Sequence, residues 1–426
     1  MLIRFGAANS SSIKDYQELS LVASSLTDTG VDLIEPDGLK DKILPFVMIY
    51  GANAAGKTNL IAALSHMADQ VQHSYTGLQP GAKIPRSTFK LDPDTQSGVS
   101  RNDCDFMLDG VRYHYGFTYN DETYIEEWLY AYPERVRQTW FYRRPGEPFI
   151  FGKNLKGRNR AIEDLTRSNS LFLSTAAQNN HPQLSAVYQF FSKSLHFAMD
   201  PFANEYNVAR VLVERQDDKR IIEFLRLADV GINDIRFEPA RRKNQPDDFM
   251  EDLKAFMKKH AGGFSLEEEN LKVPLLGHSD SNGMSHFFRL SDESRGTLRL
   301  ISLIAPVLEA LDTGGVFVVD EIDASLHTLL ALKIVELFSN RSTNPNGGQL
   351  ISTTHDTNIL CSKNIRRDQI WFAEKEHGGN TVLYPLSDLK IRKSDNIERG
   401  YIQGRFGAIP FFGSIEQMIS TNEQTR

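Results

Sequence analysis

The sequence predicts an α/β fold with a mixed, mainly parallel sheet at its core, and three observations carry this prediction. An apolar run at 46–50 leads through a glycine-rich loop into a helical pattern at 59–64. A second apolar run, 315–319, ends in two carboxylates, and a further strand-like segment, 349–354, ends in a histidine. Short apolar runs bounded by such breaks are typical of buried strands, and ligands bind at the carboxyl ends of strands in α/β sheets.

The glycine-rich loop is a phosphate-binding motif. Its sequence, Gly51-Ala-Asn-Ala-Ala-Gly-Lys-Thr58, fits G-x-x-x-x-G-K-[ST]. The glycines let consecutive N–H groups face an anion at a helix start. Lys57 offers a charge to the outer phosphates, and the Thr58 hydroxyl suits Mg²⁺. We therefore expect a bound nucleoside triphosphate, contacted by Asn53, Ala54, Ala55, Gly56, Lys57, Thr58 and Asn59.

Composition narrows the class of protein. The chain has 426 residues, 40% of them hydrophobic and 24% charged, with a net charge of -7. No apolar run approaches the roughly 20 residues that cross a bilayer, so we expect a cytoplasmic protein without a membrane partner. Its two cysteines support neither a disulfide framework nor a cysteine zinc site. The basic stretches 135–144, 153–160 and 241–243 are compatible with a solvated surface or with a nucleic-acid or protein contact.

The order of strand-like and helix-like hydrophobic patterns along the chain predicts four regions. Residues 105–132 alternate like strands around an Asp109-Gly110 turn, whereas 219–230 has the spacing of an amphipathic helix. No sustained heptad repeat occurs, which argues against a long coiled coil. We expect an N-terminal ATPase lobe with an antiparallel β-layer at 1–180, a mainly helical insertion at 181–285, a C-terminal ATPase lobe at 286–380 and a tail packed on the core at 381–426.

Two further motifs complete the candidate site. Asp320 is placed to hold Mg²⁺, and Glu321 to polarise an attacking water as general base and catalytic residue. They follow the phosphate loop by about 260 residues, so substantial structure intervenes. Ser294-Arg-Gly-Thr297 precedes an apolar helix pattern that contains Pro306. This segment predicts either a second phosphate contact or a plain helix cap.

These motifs together resemble the ABC-type ATPases, especially their soluble SMC-like branch. Ser294, Gly296 and Thr297 resemble the signature motif, residues 323–327 the D-loop, and His355 the switch histidine. Gln178 is our candidate for the Q-loop glutamine, with an ordinary surface glutamine as the alternative. The resemblance implies an ABC-type P-loop ATPase that binds ATP and Mg²⁺. In such proteins the signature of one protomer closes on the ATP of another, so a head-to-tail dimer or higher oligomer is expected.

Within that branch the chain is most similar to bacterial abortive-infection ATPases of the AbiL and RloA type. The segments that carry the resemblance are Ser12-Ile-Lys-Asp15, 293–297, 367–375 and 401–410. It implies an antiphage ATPase that senses nucleic acid or a phage component and controls a separately encoded effector, such as a Toprim-like nuclease. A RecF-like or SMC-like ATPase acting directly on DNA, and a scaffold that uses ATP only to assemble, are the alternatives.

Overall fold

The computed structural model describes residues 1–200, 204–239, 272–362, 364–391 and 395–409. It contains two compact units. Unit 1 comprises Met1–Met199, Ala310–Asp323 and Val335–Arg426, and unit 2 comprises Asp200–Glu309 and Ala324–Ile334. Unit 1 is thus assembled from three separate stretches of the chain, and it holds all three of the segments that predicted the fold: 46–50, 315–319 and 349–354.

The elements have the following bounds. The strands are β1 (Leu2–Ala8), β2 (Gln17–Ser20), β3 (Phe46–Tyr50), β4 (Ser100–Leu108), β5 (Val111–Tyr119), β6 (Tyr124–Tyr132), β7 (Gln138–Arg143), β8 (Ile150–Phe151), β9 (Leu195–Ala198), β10 (Ile232–Pro239), β11 (Lys272–Ser279), β12 (Ser285–Phe288), β13 (Val316–Val319), β14 (Gln349–Thr353), β15 (Ile370–Lys375) and β16 (Thr381–Pro385). The helices are α1 (Lys57–His73), α2 (Pro93–Ser97), α3 (Asn159–Leu165), α4 (Phe172–Gln178), α5 (Leu184–Gln189), α6 (Glu205–Glu214), α7 (Lys219–Leu227), α8 (Arg295–Thr313), α9 (Thr328–Ser339) and α10 (Ile397–Ile402).

The core of unit 1 is a six-stranded sheet in the order β16-β15-β3-β14-β13-β9. Strands β15, β3, β14, β13 and β9 run parallel, and only the edge strand β16 is antiparallel. Every residue of β3, β13 and β14 is buried, which explains why most of their side chains are apolar; Gln349 is buried with its amide bonded to the Leu2 backbone. The predicted α/β fold with a mixed parallel sheet is confirmed.

An antiparallel sheet forms the second layer of unit 1, in the order β2-β1-β4-β5-β6-β7-β8. Asp109 and Gly110, both with positive φ, form the two-residue turn between β4 and β5, as the sequence predicted. The inner face of this sheet contributes large aromatic side chains to the core; the Phe106 ring stacks on Phe190 with centroids 4.1 Å apart. The sheet therefore supports the β1–β2 turn that lies beside the phosphate loop.

Unit 2 combines helices with a three-stranded antiparallel sheet, β10-β11-β12. Helix α7 is amphipathic as predicted, with Ile221 and Leu225 buried. Pro306 lies inside α8, which continues to Thr313. The described part of 181–285 carries strands β9, β10 and β11 as well as helices, so the expectation of a mainly helical insertion omitted a sheet. Among the helices of the described ranges, none is long and apolar enough to cross a bilayer.

Candidate functional site

The phosphate loop connects β3 to α1 at the centre of the parallel sheet. Ala55, Gly56 and Lys57 are buried, Asn59 is partly buried, and Asn53, Ala54 and Thr58 are exposed. Gly56 has a φ of +107°, and a Cβ added there would lie 2.0 Å from Thr381 Oγ1. The Lys57 ammonium donates to the carbonyl oxygens of Gly51 and Ala52, at 2.8 and 3.1 Å. The lysine thus lies across the loop, with its charge held where phosphates would bind.

A chain of hydroxyl groups fixes the second half of the loop. Thr381 Oγ1 donates to the Ala55 carbonyl at 2.8 Å, and Ser12 Oγ lies 2.7 Å from Thr381 Oγ1. The Asn59 side-chain amide donates to Ser12 Oγ at 2.7 Å. Because a carbonyl can only accept, the direction is fixed as Asn59 to Ser12 to Thr381 to Ala55. No sequence motif points to Thr381, and Ser12 appears only within the segment 12–15 that carries the family resemblance.

Asp320 and Glu321 lie at the carboxyl end of β13, which is separated from β3 only by β14. The structure therefore brings both acids to the same sheet edge as the phosphate loop. Thr353, at the end of β14, connects them: its hydroxyl donates to Asp320 Oδ1 at 2.5 Å and accepts the Glu321 backbone N–H at 2.7 Å. Glu321 has a φ of +49°, a backbone conformation that non-glycine residues rarely adopt. Thr353 is a site residue that sequence reasoning missed.

His355 follows β14 and completes this edge. Its backbone N–H donates to Asp323 Oδ2 at 3.3 Å. Partial burial lowers the pKa of His355, and the nearby charge of Lys57 lowers it further. Burial also lowers the pKa of Lys57, although the carboxylates of Glu321, Asp320 and Asp323 oppose that effect. The carboxylates of Asp323, Glu321 and Asp320 oppose the lowering of the His355 pKa, but the net direction favours the neutral imidazole.

The donor set of this edge fits Mg²⁺ that arrives with a triphosphate. Asp320 is buried at the strand end, Thr58 presents an exposed hydroxyl, and Asp323 Oδ1 is buried without a hydrogen-bond partner. Across the described ranges, no group of three His, Cys, Asp or Glu side chains could hold a metal ion. Mg²⁺ commonly uses one or two carboxylates together with waters and substrate phosphates, so two protein oxygens suffice here.

The signature-like segment belongs to unit 2. Ser294 Oγ accepts the Thr297 backbone N–H at 3.1 Å and lies 2.9 Å from the Thr297 hydroxyl. Ser294 is exposed and Thr297 is buried. A Cβ at Gly296 would lie 2.9 Å from the Ser325 carbonyl, so the D-loop-like segment packs directly on this turn. The segment caps α8 and also presents Ser294 and the Gly296 backbone at its surface.

Gln178 does not lie at the phosphate loop. It ends α4, and its side-chain amide donates to the Tyr188 hydroxyl at 3.4 Å. That hydroxyl in turn donates to the Gln72 carbonyl near the far end of α1. Gln72 is about 22 Å from Lys57 along the helix, at about 1.5 Å per residue. This position fits the alternative of a surface glutamine and gives no support to a Q-loop role.

A comparison with models of known protein families found a match that spans most of the chain. The family model described as "AAA domain, putative AbiEii toxin, Type IV TA system" matches residues 46–361. The match covers more than half of the chain, and it contains the phosphate loop, the signature-like segment, Asp320, Glu321 and His355. A search of curated proteins found no match.

Proposed function

The chain belongs to the family of AAA domains whose description names the AbiEii toxin, and from this premise we propose that it is a Mg²⁺-dependent ATPase that switches a partner protein. The observation that carries the proposal is the meeting of Lys57, the Asp320–Glu321 pair and His355 at one sheet edge. Binding alone would need only the phosphate loop. Hydrolysis additionally needs a metal ligand and a base, and buried Asp320, partly buried Glu321 and the neighbouring His355 offer groups of these kinds.

Each side chain has a defined task in the proposed reaction. Lys57 exchanges its two carbonyl acceptors for phosphate oxygens when the triphosphate binds. Asp320 and Thr58 would hold Mg²⁺, which would neutralise charge on the outer phosphates. Glu321 orients a water and accepts its proton. Neutral His355 can donate a ring N–H toward the terminal phosphate without needing protonation.

We propose that ATP binding leads to association of two protomers. Ser294 and Gly296 offer neutral donors at a helix start, which suits a second contact to a triphosphate bound by another protomer. In this arrangement ATP joins two chains head to tail, and hydrolysis separates them. The signature-like segment and the hydrolytic residues lie in different units of the chain, which is compatible with contributions from two protomers.

The biological role we propose is control of a separate effector in bacterial antiphage defence, as in the AbiL and RloA type. The family description supports this direction because it names an AbiEii toxin and a type IV toxin–antitoxin system. A Toprim-like nuclease encoded beside this chain is the partner we expect. Copurification of that neighbour, and phage protection that requires both chains, are the measurements that test the role.

The alternative of direct action on DNA has less support than control of an effector, because the basic stretches are partly engaged within the chain. Within 135–144, Arg143 is buried and donates to the Ser170 carbonyl at 2.7 Å, while Arg137 lies over the Tyr130 ring at 3.9 Å. Arg160 of the second stretch pairs with Glu163 at 2.7 Å. The third stretch, 241–243, lies outside the described residues. Several of these side chains are thus already engaged within the chain.

The central experiment is Glu321→Gln. We expect ATP hydrolysis to fall by roughly 10²–10⁴-fold, the usual contribution of a general base, while ATP binding persists. The variant should accumulate as an ATP-dependent dimer in size-exclusion chromatography. Glu122→Gln, in an exposed turn, is the matched control and should behave as wild type. Hydrolysis at the wild-type rate would show that Glu321 is not the base. Strong stimulation of ATPase activity by DNA, lost at high salt, would instead favour the DNA-acting alternative.

A further inference from the structure

Glu293, the residue directly before Ser294, has a carboxylate that is withdrawn from solvent. Its side chain is 7% exposed, and its Oε1 lies 2.7 Å from His278 Nε2. Because an ionised carboxylate only accepts hydrogen bonds, the proton of this bond lies on the imidazole. The Glu293 backbone N–H also donates to the Leu290 carbonyl, at 3.1 Å. An acid therefore directly precedes the signature-like segment but contributes little to its surface.

His278 is held in turn by the three-stranded sheet of unit 2. It lies on β11 opposite His286 of β12, and its ring meets Phe288 edge to face with centroids 5.4 Å apart. A Cβ added to Gly231 would lie 3.3 Å from His278 Nδ1, so the backbone that leads into β10 closes the other edge of the ring. The imidazole thus has little room to turn, and its Nε2 stays directed at Glu293.

The two residues that flank Ser294 carry opposite charges and differ in exposure. Arg295 and Ser294 are exposed, whereas the Glu293 carboxylate is bonded inside the unit. Asp292, one position further away, has its carboxylate bonded back to the Arg289 backbone N–H at 3.2 Å. A released Glu293 would place a negative charge beside the exposed hydroxyl, and like charges near a protein surface repel more strongly than in bulk water. Such a charge would disfavour a triphosphate there.

We propose that His278 is a positioning residue of the signature-like segment: its bond keeps the Glu293 carboxylate away from the surface on which Ser294 and Gly296 meet the triphosphate of a second protomer. This inference rests on the proposed ATP-dependent pairing of protomers. His278 acts through Glu293 and not on the phosphates, so its loss should weaken pairing and leave ATP binding by the single protomer unchanged. The phosphate loop belongs to unit 1, and His278 to unit 2.

The test compares three variants of the full chain in the Glu321→Gln background, in which slow hydrolysis preserves the dimer. His278→Phe keeps a ring beside Phe288 and removes the donor. It should raise the dissociation constant of the ATP-dependent dimer by about 10- to 100-fold in sedimentation velocity, the range of one hydrogen bond to a charged group. His278→Gln, whose amide can still donate to Glu293, should pair like the parent.

The third variant separates charge from structure. His278→Phe combined with Glu293→Gln has no carboxylate to release, so it should pair within about threefold of the parent. A fluorescent ATP analogue, titrated at a protein concentration too low for dimers, should bind all three variants equally. His286→Phe is the matched control, because His286 lies on the neighbouring strand and bonds Asp280 at 3.0 Å, away from Glu293. It should pair like the parent.

The other outcomes overturn the inference in recognisable ways. Pairing of His278→Phe at the parent's dissociation constant would mean that the histidine does not control Glu293. Weak pairing that Glu293→Gln fails to restore would assign the histidine a purely structural role, as would an equal loss in His286→Phe. A Glu321→Gln parent that stays monomeric with ATP would instead remove the proposed pairing itself, and this inference with it.

Discussion

Replacing Thr353 by valine removes one hydroxyl and nearly preserves the shape of the side chain. That hydroxyl donates to the Asp320 carboxylate at 2.5 Å and accepts the Glu321 backbone N–H at 2.7 Å. It is fully buried at the end of β14, so water cannot replace it without opening the strand. The variant therefore keeps Asp320, the proposed metal ligand, and Glu321, the proposed general base. It removes only the hydroxyl that hydrogen-bonds to both residues.

The magnitude follows from the two lost hydrogen bonds. A bond to a charged group contributes about 1.5–3 kcal/mol, and a buried N–H without a partner costs about 1–3 kcal/mol. Glu321 also holds a left-handed backbone, with a φ of +49°, which costs about 1 kcal/mol or more unless its surroundings enforce it. We expect Thr353→Val to lower the free energy of unfolding by about 2–4 kcal/mol. Supporting residues of this kind typically change metal affinity or activity by about 10–100-fold.

The assay is a Mg²⁺ titration of the ATPase rate, read together with urea unfolding. Thr353→Val should need more Mg²⁺ for half-maximal rate and reach a lower maximum. Thr353→Ser, which keeps the hydroxyl, should restore both. Ser352→Ala removes a buried hydroxyl on the same strand, bonded to a backbone carbonyl at 2.9 Å, and serves as control. A Thr353→Val enzyme with the Mg²⁺ dependence and maximal rate of wild type would refute the proposed support of Asp320 and Glu321.

Two further substitutions test other parts of the chain. Gly56→Ala should abolish ATP binding in a fluorescent-analogue titration, because its Cβ would lie 2.0 Å from Thr381 Oγ1, whereas Gly81→Ala, with positive φ but open space, should bind normally. Glu127→Ala should lower the free energy of unfolding in urea by about 3–5 kcal/mol. The substitution leaves Arg143, which is 6% exposed, without its carboxylate partner, and it removes the acceptor of two backbone N–H groups at the start of α4. A loss under about 1 kcal/mol, the level of a surface ion pair, would contradict that role.

The sequence identified those parts of the edge that are encoded locally. The glycine-lysine-threonine loop follows a strand of five buried residues, and Asp320-Glu321 follows a strand of four. In both cases an apolar run that stops abruptly at glycine or acidic residues is visible in the sequence. The glycine at 56 is needed because its φ is positive and Thr381 abuts it. The predicted roles of these side chains stay predictions, but their placement at one edge follows from the parallel order of β3, β14 and β13.

The supporting residues could not be predicted in the same way. Ser12 and Thr381 meet across 369 positions of sequence, and each is a single small polar residue without a pattern around it. Thr353 looks like any β-branched residue of a buried strand. The resemblance to ABC-type ATPases suggests Gln178 as the Q-loop glutamine, yet its side chain contacts Tyr188, which bonds the far end of α1. A residue whose role depends on contacts between distant parts of the chain is not marked by any motif or periodicity in a single sequence.

The charge balance at the edge of unit 1 bears on how ATP is held. Three carboxylates, those of Asp320, Glu321 and Asp323, act on one ammonium, that of Lys57, and burial together with Lys57 lowers the pKa of His355. A bound triphosphate would add several negative charges, so in the proposed complex Mg²⁺ and further donors would join the backbone N–H groups and Lys57. Donors that carry no charge of their own, such as a helix start with serine and glycine, lower this repulsion without fixing the triphosphate permanently. Loss of the terminal phosphate then removes the group that such a contact recognises, which favours the head-to-tail arrangement proposed above as a reversible switch.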